Sequence, residues 1–206
     1  MNCTLCNTPL STKVDDEYYI CPTCNTYLKD EVLYFDQDKE KSHYECHNND
    51  VNDIGYQHFT APVTNTVLAH CTPAMLGLDY GCGKGPVITK QLVEQGYTVD
   101  LYDPFFHPDL TYLDRIYDYI FSCEVFEHFY TPYKEIDKLT KILKQGGLLI
   151  IKTHLFTEQT DFKNWYYRKD QTHVFIYTFK TIEYIAKQFD YQIETLTERL
   201  VVLRKK

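Results

Sequence analysis

Leu78-Asp79-Tyr80-Gly81-Cys82-Gly83-Lys84-Gly85-Pro86 decides how the rest of this chain is read. An apolar run, Ala74 to Leu78, delivers it, and an amphipathic stretch, Val87 to Gln95, leaves it. That is the order strand, glycine turn, helix. Gly81, Gly83 and Gly85 let the backbone turn sharply and approach a ligand where a Cβ would obstruct it. Pro86 falls where a helix tolerates proline as its first residue. The next apolar segment, Tyr97 to Tyr102, ends in Asp103, near the spacing at which a carboxylate grips a ribose. The turn is neither GxGxxG nor a P-loop, because Lys84 is followed by Gly85 and Pro86. Together these features predict an enzyme with a nucleoside cofactor.

At 206 residues the chain holds one α/β domain plus a small appendage. The formal net charge of −8 disfavours a general nucleic-acid binder. No apolar run approaches the ~20 residues of a membrane span, and no signal-peptide pattern precedes Cys3. A cytoplasmic location without membrane contact is therefore the expectation. Nineteen tyrosines and twelve phenylalanines predict aromatic-rich packing.

Cys3-Thr4-Leu5-Cys6 and Cys21-Pro22-Thr23-Cys24 are two CxxC knuckles with fourteen residues between them. Four thiolates so spaced complete a closed, tetrahedral zinc site of structural type. A zinc ribbon is expected over 1–28, its folding energy supplied by the metal because so short a module buries too little core. Lys13 to Asp15 and Glu17 to Ile20 are read as its hairpin. Cys46, Cys71, Cys82 and Cys123 lack ligand spacing and read as buried small residues.

Residues 29–72 read as a charged linker followed by a helix over 52–71, restarted near Pro62, because Ile54, Phe59, Val63 and Val67 recur at helical spacing. Residues 73–206 form the core. Strands are expected near 75–80, 97–102, 117–122, 147–153, 191–197 and 199–204, and helices near 86–95, 132–144 and 179–188. Thr131-Pro132 marks a helix start and Gly146-Gly147 a stop. This alternation predicts a mostly parallel sheet with helices on both faces, and Thr197-Glu198 a closing hairpin. Ligands bind beyond the carboxyl ends of such strands, which gathers Asp79, Gly81, Asp103 and Glu124 around one crevice.

The glycine turn resembles motif I of class I S-adenosylmethionine (SAM)-dependent methyltransferases, acidic-x-Gly-x-Gly-x-Gly, with Asp79 as the acid. The resemblance continues in order through YDPFF (102–106), YDYIFSCEVFEHF (117–129) and KILKQGGLLIIKTH (141–154). It implies a Rossmann-like α/β fold with a seven-stranded sheet and SAM as cofactor. Asp79, Gly81, Cys82, Gly83 and Gly85 would hold the methionine end, with Asp103 on the ribose and Glu124 nearby. The family's preceding helices often cover the cofactor, which makes His47, Asn48, Asp53 and Tyr56 candidate lining residues. One departure is visible: Asp103 to Ile116 is fourteen residues, where relatives place a helix and a further strand. Leu110 to Leu113 is then a vestigial strand.

Glu124-Val125-Phe126-Glu127-His128 puts two carboxylates and an imidazole within one turn, where they shift one another's pKa unless a cation or proton sits between them. With Asp170-Gln171-Thr172-His173 it resembles the small-RNA 3′-terminal ribose 2′-O-methyltransferases and, in the ExxEH segment, the ubiquinone-biosynthesis O-methyltransferases. The first resemblance implies Mg or another divalent metal on Glu124, Glu127, His128 and His173, activating an acceptor hydroxyl. Direct general-base work by His173 or His128 is a second reading, with Asp170 orienting the imidazole. Cofactor contact and helix capping are a third. Trp165, Tyr166 and Tyr167 are expected as a substrate wall, and His154 faces the crevice without an evident partner. The expected activity is O-methylation of a small metabolite. The alternatives are an RNA methyltransferase using the ribbon, against which residues 1–28 offer only Lys13 as a basic side chain, and a non-catalytic, ribbon-anchored interaction protein.

Overall fold

The computed structural model describes residues 1–45 and 50–206. Its strands are β1 (Tyr18–Ile20), β2 (Tyr27–Lys29), β3 (Leu76–Tyr80), β4 (Thr98–Tyr102), β5 (Tyr117–Cys123), β6 (Leu143–Lys152), β7 (Phe175–Ile176), β8 (Tyr191–Leu196) and β9 (Val201–Lys205). Its α-helices are α1 (Gln37–Glu45), α2 (Ile54–His70), α3 (Val87–Val93), α4 (Pro132–Ile142) and α5 (Phe179–Gln188). The central sheet runs β4-β3-β5-β6-β9-β8, and β1-β2-β7 form a second, small sheet. Pairing from β4 to β6 is parallel. β9 runs antiparallel to both neighbours, as the short 197–198 connection predicted. No described helix is long and apolar enough to cross a membrane.

Period-two alternation along β5 divides the core. Tyr119 and Phe121 pack under Val63 and Val67 of α2 and Leu92 of α3. Ile120 points the other way, into the cluster of Ile136 and Leu139 from α4 with Ile182 and Ile185 from α5. Helices therefore cover both faces, as expected. Leu5, Cys24 and Leu28 belong to the α4/α5-side cluster, so the amino-terminal segment packs onto the core sheet through buried apolar side chains. A Thr178–Thr181 capping box starts α5, and Pro132 stands in the first turn of α4.

Three expectations are corrected. The central sheet has six strands among the described residues, not seven. Leu110–Asp114 is a 3-10 turn capped by Asp109, and Arg115 holds Asp100 of β4 at 2.6 and 2.7 Å. With so few residues to spend, the chain closes over the edge of β4 instead of adding a strand to it. The ribbon hairpin pairs β1 with β2, Tyr19 opposite Leu28, whereas Lys13 makes only an isolated bridge to Tyr19. This register buries Tyr18 on one face of the pair, edge-on to Phe162, and Leu28 on the other, in the α4/α5-side cluster. Third, α2 runs unbroken through Pro62, because Val63 and Val67 are fully buried and their packing outweighs the ~3 kcal/mol cost of an internal proline. At the other end of the core, α4 stops at Ile142 and β6 begins at once, so Gly146 lies within the strand at a φ of 75°.

Candidate active site

The crevice opens at the carboxyl ends of β3, β4 and β5, where the strand order switches direction. It is a cavity of about 970 Å³ lined by Gly81, Gly83, Asp103, Glu124, His128, Asp170 and His173 among others. Tyr44, Tyr56, Phe59, Phe105, Phe106 and Tyr166 give it an aromatic wall.

At its floor Gly81 takes a φ of 84°, and a Cβ there would meet Cγ2 of Val125 at 2.4 Å. Only glycine fits, on both counts. The Gly81 and Cys82 amides donate to Tyr102 O at 2.8 and 3.1 Å, which ties the turn to the end of β4. Asp103 completes the tie: Oδ2 accepts from Gly83 N at 3.0 Å, and Oδ1 from Phe105 N and Phe106 N. Asp103 thus organises its own loop while lining the cavity. Asp79 is buried and accepts from Thr89 Oγ1 at 2.7 Å. Burial, with the charge of Asp103 adding, pushes its carboxyl up to about 7. Cys82 is buried beside it.

The second half of the crevice gathers Glu127, His128 and His173. Their ligand atoms lie within 4.8 Å of one another. Glu127 Oε1 is 4.0 Å from His128 Nε2 and 3.9 Å from His173 Nε2. Oε2 accepts from Thr153 Oγ1 at 2.9 Å, and among the described residues Oε1 finds no hydrogen-bond partner. Each imidazole contacts a backbone carbonyl through Nδ1: His128 with Thr172 O at 3.0 Å and His173 with Tyr167 O at 2.7 Å. A carbonyl only accepts, so both Nδ1 atoms donate and the Nε2 atoms are the ones turned toward Glu127. Burial pushes Glu127 up to about 8, the charge of Glu124 adding, and draws His173 below its ordinary value. One carboxylate oxygen and two imidazole nitrogens thus converge on one point, the ligand types that hold a divalent cation.

Glu124 does not join this group. Its backbone is left-handed, φ 54°, and Oε1 accepts from Lys152 Nζ at 2.6 Å. Lys152 is buried and sits 3.3 Å from the Phe59 ring centroid. Of the four metal ligands expected here, three converge, and Glu124 forms an ion pair on the crevice wall instead. Asp170 is turned to its own loop: Oδ1 takes Thr172 N at 2.9 Å and Thr172 Oγ1 at 2.6 Å, with Oδ2 3.9 Å from His173 Nε2. It is Tyr167 O, not Asp170, that holds Nδ1 of His173.

Tyr166 and Tyr167 line the cavity, whereas Trp165 is buried against Phe156. His154 touches Tyr166 Oη at 3.0 Å and Trp165 edge-on. Tyr56 lines the cavity, and Asp53 is the amino-terminal cap of α2. His47, Asn48 and Cys46 lie outside the described residues. Cys71 is buried and Cys123 lines the cavity. Sequence reasoning does not single out Lys152 or Thr153, and it expects Tyr167 only as a wall, not as the carbonyl that holds His173. The parallel register of Cys123 with Lys152 puts the end of β6 beside ExxEH, and that adjacency was the available signal.

In the ribbon, Cys3, Cys6, Cys21 and Cys24 also have their Sγ atoms within 4.8 Å of one another. Cys3 contacts Cys24 at 3.5 Å, and Cys6 contacts Cys21 at 3.4 Å. The Cys24 contact draws the Cys3 thiol down to about 5 and holds Cys24 up, so the cluster already favours a thiolate.

A glycine turn after the first core strand, an acid at the end of the next and a crevice at the switch point define the class I methyltransferase fold. The sequence matches the methyltransferase domain family over residues 55–196, and the chain belongs to that family. No curated protein sequence matches it. Among solved structures it resembles the 1,6-didemethyltoxoflavin-N1-methyltransferase of Burkholderia thailandensis, solved with 1,6-didemethyltoxoflavin and S-adenosylhomocysteine. The TM-score is 0.60 at 14% identity, covering 96% of this chain and 100% of that one. TehB from Haemophilus influenzae gives 0.54 at 17% identity over 71% of this chain, which spans 62% of the length of TehB. The magnesium protoporphyrin IX methyltransferase of Synechocystis PCC 6803, with S-adenosylhomocysteine bound, gives 0.53 at 16% identity over 82% and 94%. At these identities the likeness is one of fold.

Proposed function

We propose that this chain transfers a methyl group from SAM to a hydroxyl oxygen of a small-molecule acceptor, with a divalent cation held by Glu127, His128 and His173. The observation that carries the acceptor half is the convergence of Glu127 Oε1 and two Nε2 atoms on one point beside the glycine turn. The residues fit each group. The Gly81 and Gly83 backbone lines the cavity without side chains in the way, and Asp79 behind it offers a buried carboxyl to a cationic ligand. The four ribbon thiols suit zinc. The unpartnered carboxylate oxygen and oriented imidazoles suit a borderline divalent ion.

SAM, when bound, supplies the electrophilic methyl. Glu127, His128 and His173 would hold the cation, which would supply a lowered pKa and a fixed orientation to an acceptor hydroxyl. The chain does the aligning. The 81–83 backbone and Asp103 fix the donor end. Thr153 fixes Glu127, and the Thr172 and Tyr167 carbonyls fix the two imidazoles. The aromatic wall excludes water and accepts a planar or apolar acceptor. Lys13, the lone basic residue of 1–28, is paired with Asp30 at 3.1 Å, and Lys29 beside that segment is buried, which speaks against a phosphate backbone as acceptor.

The test is calorimetric binding of S-adenosylhomocysteine, followed by methyl transfer to a panel of catechols and aliphatic diols with and without Mn²⁺ or Mg²⁺. Cofactor binding without added metal and turnover that needs it are expected. Turnover that survives metal-free buffer moves the chemistry to His173 Nε2 as general base, since burial keeps that ring neutral. Gly81→Ala isolates the donor side. Strain and the Val125 clash cost on the order of 1–3 kcal/mol, so S-adenosylhomocysteine affinity should fall about tenfold or more. Unchanged affinity would refute the assignment of this turn.

A further inference from the structure

None of the described residues lining the crevice comes from the ribbon, yet the ribbon holds one of its walls. β2 pairs with β7, Tyr27 opposite Ile176 and Leu28 opposite Phe175. Lys29 N extends that ladder to Val174 O at 2.9 Å. Val174 in turn donates its N–H to Glu127 O at 2.9 Å. One residue, next to His173, therefore joins the ribbon on one side and the Glu127 turn on the other.

Two ribbon side chains reach past this ladder. Tyr18 Oη donates to His173 O at 2.8 Å and lies 3.3 Å from Arg168 O. Lys29 Nζ donates to Gln171 O at 2.9 Å and Asp170 O at 3.2 Å, from a side chain that is 1% exposed. An ammonium buried this deeply is held by the carbonyls it satisfies. In the reverse direction, Arg168 forms ion pairs with Asp15 at 2.9 Å and Glu17 at 2.8 Å. Ribbon residues thus contact the chain on both sides of His173, while its ring is fixed by Tyr167 O.

We infer that the zinc-organised ribbon is the positioning element for His173: Tyr18 and Lys29 set its loop against Glu127 and His128. Cation affinity in the crevice then depends on residues that never touch the cation. Cofactor binding, built on β3 and β4, does not. The cation readout rests on the proposed function, whereas the loop readout is independent of it.

The test uses full-length Tyr18→Phe and Lys29→Met. Tyr18→Phe keeps the ring that meets Phe162 edge-on at 5.3 Å, so it deletes a donor without emptying the core. Zinc content should match wild type in both variants, and S-adenosylhomocysteine affinity should stay within about twofold, as expected for distant sites. Mn²⁺ affinity, read by calorimetry or electron paramagnetic resonance, should fall about 10–100-fold. Amide hydrogen exchange across 170–176 should quicken while that of 76–82 holds. Wild-type Mn²⁺ affinity and wild-type exchange in both variants would overturn the inference. If wild type itself binds no Mn²⁺, the cation reading fails, and exchange decides alone: faster at 170–176 supports the positioning role, unchanged refutes it.

Discussion

Glu127→Gln should abolish metal-dependent turnover, by roughly 10²–10⁴-fold, while leaving the folded protein at least as stable as wild type. The carboxyl is fully buried, one oxygen is held by Thr153, and the other has no partner among the described residues. Glutamine keeps the shape and the Thr153 contact through its amide oxygen. Its NH₂ faces the two Nε2 atoms that Oε1 approached at 3.9 and 4.0 Å, and offers them donors at every pH, where the carboxyl does so only while protonated. Above about pH 8 buried satisfaction therefore improves as the ionisable carboxyl is lost. Three measurements separate the effects: Mn²⁺ affinity, expected to drop at least about 100-fold; S-adenosylhomocysteine affinity, expected unchanged; and Tm without metal, expected equal or higher. A variant that retained Mn²⁺ affinity would remove Glu127 from the cation site.

How much of this was legible depends on the range of the interactions. The Gly81 turn and Asp103 could be read because a turn, its helix and the following strand end are local in sequence. The pairing of Glu127 with His128 could be read for the same reason. The part played by Glu124 could not. Its left-handed φ of 54° sends the side chain to Lys152, and that partner is brought alongside only by the parallel register of β5 with β6. His173 was legible as a residue type, but its support was not. Its loop is held by Tyr18 and Lys29, more than 140 residues away in the chain. The segment Tyr27-Leu28-Lys29 is too short to announce a strand, and becomes one because β1 and β7 flank it. The missing seventh strand was half legible: the shortness of 103–116 is plain in the sequence, but the closure of Arg115 Nη1 on both Asp100 oxygens is not.

Asp79→Asn should make the cofactor-free protein more stable and its cofactor complex weaker. Asp79 is buried, and burial holds its carboxyl near 7, against an ordinary value of 3.8. Between those two pH values the folded chain carries more protons than the unfolded one, so stability falls as pH rises through that window. The full cost persists above it. Asparagine has no charge to bury and keeps an oxygen for Thr89, which now donates at 2.7 Å. The gain should be on the order of 2–4 kcal/mol above pH 8, or roughly 5–15 °C in Tm for a chain of this length. It should vanish near pH 4 or below, where both side chains are neutral. The opposite sign is expected for binding. SAM is a sulfonium with an ammonium, and a buried carboxylate behind the glycine turn is balanced only when a cation arrives. Loss of a charge-assisted contact costs about 1.5–3 kcal/mol, so SAM affinity should fall roughly 10–100-fold, and the Tm increase produced by SAM should shrink accordingly. Tm of both proteins at pH 4 and pH 8, with and without SAM, reads all of this at once. Equal stabilisation by SAM in the two proteins would show that Asp79 serves the turn alone. If the trade appears, the strain in this crevice has a chemical reason: a carboxyl is kept buried at a cost in the free protein because the cofactor brings the charge it lacks.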